Sequence, residues 1–159
     1  MAIERTGAAA EHFKSAGENY KDNQKAIAEY TEVIKLLPND DQSYEGRGRH
    51  YLELEQFEKA LDDFNKAISL EPENKYHYIN RFPAYLNLGE TEKAIADVEK
   101  AVELAGTDEK TIAIYYYALG RDIEKLTGDK RTAAVYLKKS VEHGDNRGCS
   151  QRLLDEWGM

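Results

Sequence analysis

Tyr44-Glu45-Gly46-Arg47-Gly48-Arg49-His50-Tyr51-Leu52-Glu53-Leu54 is answered, 34 residues later, by Tyr78-Ile79-Asn80-Arg81-Phe82-Pro83-Ala84-Tyr85-Leu86-Asn87-Leu88. The correspondence continues: Glu58-Lys59-Ala60-Leu61-Asp62-Asp63 pairs with Glu92-Lys93-Ala94-Ile95-Ala96-Asp97, and Lys66-Ala67-Ile68 with Lys100-Ala101-Val102. Self-similarity at a fixed period of this size marks stacked units, each too small to bury its own apolar face. Within each unit, small or apolar residues recur every three or four positions (Ala60, Phe64, Ala67; Ala94, Val98, Ala101). That is the narrow stripe of an amphipathic helix whose small members let a neighbour come close. Gly89 and Gly128 fall where a left-handed residue can close a first helix, and Pro38 and Pro72 where a second helix must stop. The pattern predicts an all-α chain of helix pairs.

Outward from residues 41–74 and 75–108, the pattern weakens in both directions. Residues 7–40 end in Ala26-Ile27-Ala28-Glu29-Tyr30, Val33-Ile34 and Pro38, which fit a second helix. Gly17-Glu18-Asn19-Tyr20 is out of register, so the helix before it is shortened or offset. Downstream, Gly128-Asp129, Ala133, Leu137 and Gly144 restore the pattern over 114–147, about five residues late, with an insertion around Thr107 to Ala113 that lengthens a loop or a helix. A stack needs specialised ends. Over about 147–158, Asn146 as N-cap followed by Cys149, Leu153 and Trp157 on one stripe predicts a capping helix, with Trp157 as a partner anchor the alternative. The first six residues are expected to form a frayed leader.

Composition narrows the classes of function. The 159 residues are 41% hydrophobic and 33% charged, enough for a sizeable core. Twenty-two basic residues against 30 acidic ones give a net charge of −8, which argues against nucleic acid or an anionic membrane as partner. A single cysteine, Cys149, excludes an intramolecular disulfide and a four-cysteine zinc site, and fits a reducing, cytoplasmic setting. Neither an apolar signal-peptide core nor an 18-residue apolar run occurs.

A 34-residue period carrying Tyr44, Gly48, Tyr51, Ala60, Phe64, Ala67 and Pro72, then Tyr78, Tyr85, Gly89, Ala94 and Ala101, resembles the tetratricopeptide repeat family. The stretch from Ala133 to Ser140 followed by His143-Gly144-Asp145 is similar to the SEL-type variant of the repeat. The resemblance implies about four antiparallel pairs in a right-handed superhelical solenoid, made as a single domain, with the first helix of each pair lining a concave face.

Signals for catalysis and cofactors are weak. No two of His12, His50, His77 and His143 have the spacing of a metal pair on one helix, so they read as isolated surface or groove histidines. Gly46-Arg47-Gly48-Arg49 lacks the third glycine and the preceding strand of a phosphate loop. Cys149 has no motif around it that would make it a nucleophile. No catalytic residue, metal or cofactor is expected. Arg47 and Arg81 each precede an aspartate by sixteen residues, Asp63 and Asp97, and either pair with it across the seam or face a ligand.

The resemblance places candidate groove residues on the first helices. These are Glu45 and Arg49 in the second repeat, Tyr76, Ile79, Asn80, Pro83 and Leu86 in the third, and Tyr115 and Leu119 in the fourth, with packing between repeats as the alternative for each. Pro83, inside a helix, is expected to bend it or open its last turn. Family members that hold the acidic tails of heat-shock chaperones use a clamp of lysines, asparagines and an arginine. Here those places hold Glu11, Ser15, Gly46, Tyr76 and Asn80, or one repeat further on Glu45, Arg49, Asn80, Tyr115 and Leu119, so chaperone-tail docking is disfavoured. The expectation is a non-enzymatic adaptor holding a protein or peptide segment, with a self-associating scaffold, and hence a homo-oligomer, as the alternative.

Overall fold

The computed structural model describes residues 5–19, 21–145 and 148–159, and among these every regular element is a helix. In chain order they are α1 (Gly7–Glu18), α2 (Asn23–Leu36), α3 (Asp41–Glu53), α4 (Phe57–Leu70), α5 (Lys75–Asn87), α6 (Thr91–Ala105), α7 (Glu109–Thr127), α8 (Lys130–Glu142) and α9 (Cys149–Trp157). The first helices of the four pairs begin at Gly7, Asp41, Lys75 and Glu109, each 34 residues after the last.

The last pair therefore opens in strict register and not near Ile114. Asp108 caps α7 through a bond from the Thr111 amide at 3.2 Å and a second from its hydroxyl at 2.6 Å, which fixes the start of the helix. The insertion lies inside α7, which has 19 residues where α3 and α5 have 13; the turn after it is one residue shorter than the turn after α5, so α8 starts five residues late. Aligning on the second helix displaced the sequence reading of the first. At the other end α1 is 12 residues long, the shortened alternative, while Tyr20 and Asn146 lie outside the described residues.

The chain divides into two compact units, residues 1–84 and 85–159. In the first, α1 packs on α2, α2 on α3, and α3 on α4. Ala60, Phe64 and Ala84 form its central buried cluster, flanked by Tyr51, Leu52 and Leu61. The stripe inferred from spacing is the stripe that is buried. Arg5 does not belong to a frayed leader: its guanidinium makes a bidentate pair with the buried Asp40 at 2.7 and 2.9 Å and lies 3.7 Å from the Phe13 ring centre. A buried carboxylate needs such a partner, and sequence spacing could not show which cation supplies it. α5 continues through Pro83.

In the second unit α7 packs on α6 and α8, and α9 on α8. Ala134, Leu137 and Leu154 form a buried cluster against which Tyr117, Leu153 and Trp157 pack. Trp157 thus serves the cap, with the Lys130 ammonium 5.4 Å from its ring. At the start of α9 the Asp145 carboxylate accepts from the Ser150 amide at 2.6 Å. A buried relay ties the three helices together: Ser150 Oγ donates to Ser140 Oγ at 2.9 Å, and Ser140 Oγ to the Ala113 carbonyl at 2.8 Å.

Gly89 and Gly128 take positive φ, 77° and 73°, as their positions require. The equivalent turn after α3 uses Glu55 at φ 57° instead, 34 residues before Gly89.

Candidate functional site

Two helix positions without side chains open the first unit's groove. Gly17 on α1 has nothing within 4 Å of where a Cβ would stand. Gly46 on α3 faces the Tyr30 ring so closely that a Cβ would lie 2.4 Å from Tyr30 Cζ. The aromatic ring of α2 is thereby laid against α3, and a groove of about 670 Å³ is left between them and α1. Ala16, Gly17, Lys21, Asn23, Tyr30, Gly46, Arg49, His50 and Glu53 line it. Phe13 meets Tyr30 edge-on with centroids 5.6 Å apart, and His50 lies tilted on its other side at 5.9 Å.

The groove is polar at its mouth and aromatic at its base. Arg49 is exposed. His50 Nδ1 donates to Asn23 Oδ1 at 2.8 Å, which fixes the ring. Burial, and secondly the Arg49 charge, hold His50 below the ordinary imidazole range, so the ring is disposed to stay neutral. Burial pushes the Tyr30 hydroxyl above the usual phenol range.

The residues singled out from sequence fall into three groups. Arg49 lines the groove, and Glu45, one turn earlier on α3, is held by the buried His77 at 2.7 Å. The same imidazole meets Asp41 at 3.0 Å, tying the start of α5 to α3. Tyr76 is 58% exposed, while Ile79, Asn80 and Pro83 are half-buried. Leu86, Tyr115 and Leu119 are 2%, 6% and 0% exposed, so they pack and present no surface. Between Lys110 and Arg121, the exposed residues of α7 are Lys110, Ile114 and Arg121, so Ile114 and not Tyr115 takes the open face. From Ile112 to Leu119 no residue is charged, so periodicity alone could not choose a face.

Arg47 is a packing residue. Its guanidinium holds Asp63 through Nε at 2.8 Å and Nη2 at 2.7 Å, with Nη1 donating to Thr31 Oγ1 at 3.1 Å. Arg81 donates to Asn65 at 2.5 Å, and Asp97 is buried in the second unit. Asn23, Tyr30 and Glu53 escaped the sequence reading because two lie on a second helix, which the repeat pattern assigns to the outer layer. The available signal was Gly46, whose missing side chain exposes what stands behind it. Among the described residues no group of three histidine, cysteine or acidic side chains could hold a metal ion, and no helix is long and apolar enough to cross a membrane.

Helix pairs in 34-residue register, closed by a capping helix, define a helical-repeat protein with an open groove. Tetratricopeptide repeat models match residues 42–74 and 84–108, so the chain carries tetratricopeptide repeats over these two stretches. Among solved structures it is similar to MamA 41-end from Desulfovibrio magneticus RS-1, at 25% identity and TM-score 0.71, over 85% of this chain and 75% of that one. The TPR2B domain of yeast Sti1, solved as a complex with an Hsp70 peptide, is 27% identical with TM-score 0.64, over 72% of this chain and 97% of that one. The first TPR of Spaghetti (RPAP3), bound to an HSP90 peptide, shares the fold at 24% identity and TM-score 0.61, over 70% of this chain and 93% of that one. No protein of curated function matches.

Proposed function

We propose that the chain is a non-enzymatic interaction adaptor that holds an extended protein segment in the groove of its first unit. The observation that carries this reading is the groove of about 670 Å³, with an aromatic base at Tyr30 and the exposed Arg49 at its mouth. A large aromatic floor supplies contact area at little entropic cost, and a peripheral arginine selects by charge. The peptide complexes of the Sti1 and RPAP3 domains support the mode of binding. The ligand differs from theirs in chemistry, because Glu11 and Gly46 stand at clamp positions and an acidic tail would meet Glu11 and Glu53. In this reading Glu45, Tyr76, Ile79, Asn80 and Pro83 extend the recognition surface along α3 and α5.

Displayed peptides with free and blocked carboxyl termini, selected against the purified chain, test the proposal. Enriched sequences are expected to lose binding to Arg49→Glu and to weaken on a Tyr76→Ala, Asn80→Ala variant. A folded chain that enriches no Arg49-dependent sequence sinks it. The exposed Leu126, Val135, Val141 and Met159 of the second unit favour self-association as a second reading, which a concentration series in sedimentation velocity tests.

A further inference from the structure

His77 is not the isolated surface or groove histidine that its sequence spacing suggests. It lies in the first turn of α5, its side chain is 0% exposed, and both ring nitrogens are engaged within the first unit. Nδ1 stands 2.7 Å from Glu45 Oε2 and Nε2 stands 3.0 Å from Asp41 Oδ2, both carboxylates belonging to α3. Nε2 has a second neighbour, Asn74 Nδ2 at 3.1 Å, in the turn before α5. Asp41 and Glu45 are thus the ionisable groups that face the ring, and Asn74 is the neutral one.

No single state of the ring serves all three neighbours. An ionised carboxylate only accepts hydrogen bonds, an amide nitrogen only donates them, and a neutral imidazole carries one proton. The Asn74 amide cannot turn round to offer its oxygen, because Oδ1 already accepts from the Tyr76 amide at 3.1 Å. A doubly protonated ring donates from Nδ1 to Glu45 and from Nε2 to Asp41, and its Nε2 proton then opposes the Asn74 amide. A neutral ring keeps its proton on Nδ1, where Glu45 can only accept. Its bare Nε2 then takes a bond from Asn74 and repels the Asp41 carboxylate. Because the ring is fully buried, water cannot stand in for the bond that is lost, so the two arrangements are distinct.

We propose that Asp41, His77 and Asn74 form a proton-operated latch between the first helices of the second and third pairs. With the ring doubly protonated, α5 is tied to α3 through both carboxylates. When Nε2 gives up its proton, the tie to Asp41 opens, Glu45 alone still bridges the helices, and Nε2 passes to Asn74 at the head of its own helix. Acidification therefore closes the latch and alkalinisation opens it. Glu45 and Tyr76 flank it, so on the reading of α3 and α5 as a recognition surface the latch sets how firmly that surface is held. The latch itself needs no ligand.

The test is a titration of the full chain followed by imidazole ¹⁵N–¹H correlation spectra, with His77 assigned by its absence from His77→Gln. The ring is expected to lose its proton from Nε2 while Nδ1 stays protonated, and the Asn74 side-chain amide should shift with the same midpoint. Asp41→Ala removes the acceptor that only the charged ring uses, and should move the midpoint to lower pH by about one unit, tenfold in proton affinity. Asp41→Asn, which keeps the side-chain shape, should move it the same way. Asn74→Ser retains a capping oxygen for α5 but removes the donor that only the neutral ring uses. It should move the midpoint to higher pH by about half a unit, threefold in proton affinity. A ring that keeps one protonation state throughout, a proton lost from Nδ1, or Asp41 and Asn74 variants that shift the midpoint in the same direction overturns the proposal. Peptide binding enters none of these readouts, so failure of the recognition surface leaves them unchanged, and failure of the latch leaves the display result standing.

Discussion

Gly120 and Gly17 are both helical glycines, and replacing each by alanine should move stability in opposite directions. At Gly120, in the middle of α7, an added Cβ would stand 2.9 Å from the Ala133 carbonyl oxygen, 2.9 Å from Leu137 Cγ and 3.1 Å from its Cδ2. Real Cβ contacts essentially never fall below 3.0 Å. The Ala133 carbonyl belongs to the backbone of α8, and Leu137 is fully buried, so neither can swing away. α8 must shift instead, at the roughly 1–3 kcal/mol typical of overpacking a close contact. Alanine's better helix propensity returns about 1 kcal/mol. The net expectation for Gly120→Ala is a loss of up to about 2 kcal/mol. At Gly17 the added Cβ meets nothing within 4 Å, so Gly17→Ala should gain about 0.5–1 kcal/mol, mostly by restricting the unfolded chain. For a chain of this length 1 kcal/mol is about 2–4 °C in melting temperature. Thermal melts followed by helical circular dichroism should therefore fall by up to several degrees for the first variant and rise for the second. A Gly120→Ala protein that melts at or above the parent refutes the claim that α7 and α8 are in closest approach there.

Three further outcomes follow from the same geometry. Asp63→Ala strands the half-buried Arg47 guanidinium and should cost about 3–5 kcal/mol, whereas Arg47→Met with Asp63→Leu should cost far less; urea unfolding of the three proteins decides. His50 has its folded-state value below the ordinary 6.5, so as pH falls through that value the unfolded chain takes up a proton the folded chain resists. Stability should therefore decline on acidification below about 6.5, and His50→Gln should flatten that part of the profile. Glu55→Gly removes a left-handed non-glycine residue, a conformation that costs about 1–2 kcal/mol, against the entropy of an added glycine. A net gain of up to about 1 kcal/mol in melting analysis is expected.

Much of the scaffold was legible in the residues. The 34-residue offset placed α3 to α6, and the stripe of Ala60, Phe64 and Ala67 is buried as the spacing required. The Arg47–Asp63 pair could be anticipated from the cost of an unpaired buried charge. The site was less legible. Tyr115 and Leu119 follow the repeat's groove positions only if the last pair opens at Ile114; with α7 opening at Glu109 they turn inward, and Lys110, Ile114 and Arg121 take the open face. A shift of one residue on a helix rotates every side chain by about 100°, so a small error in phase exchanges core for surface.

The sequence by itself determined what repeats and what must be buried. Periodicity, small residues at fixed spacing, and the glycine and proline stops act locally, along a few turns of chain, and they can be read without knowing what lies opposite. Only the tertiary structure decided what those helices leave open. That Gly46 frames Tyr30 as a groove floor, that Arg5 returns to the buried Asp40, and that His77 is buried against Asp41 and Glu45 all depend on residues distant in sequence. Such meetings are fixed by close packing between helices, and packing is a property of pairs of surfaces that no single stretch of sequence contains.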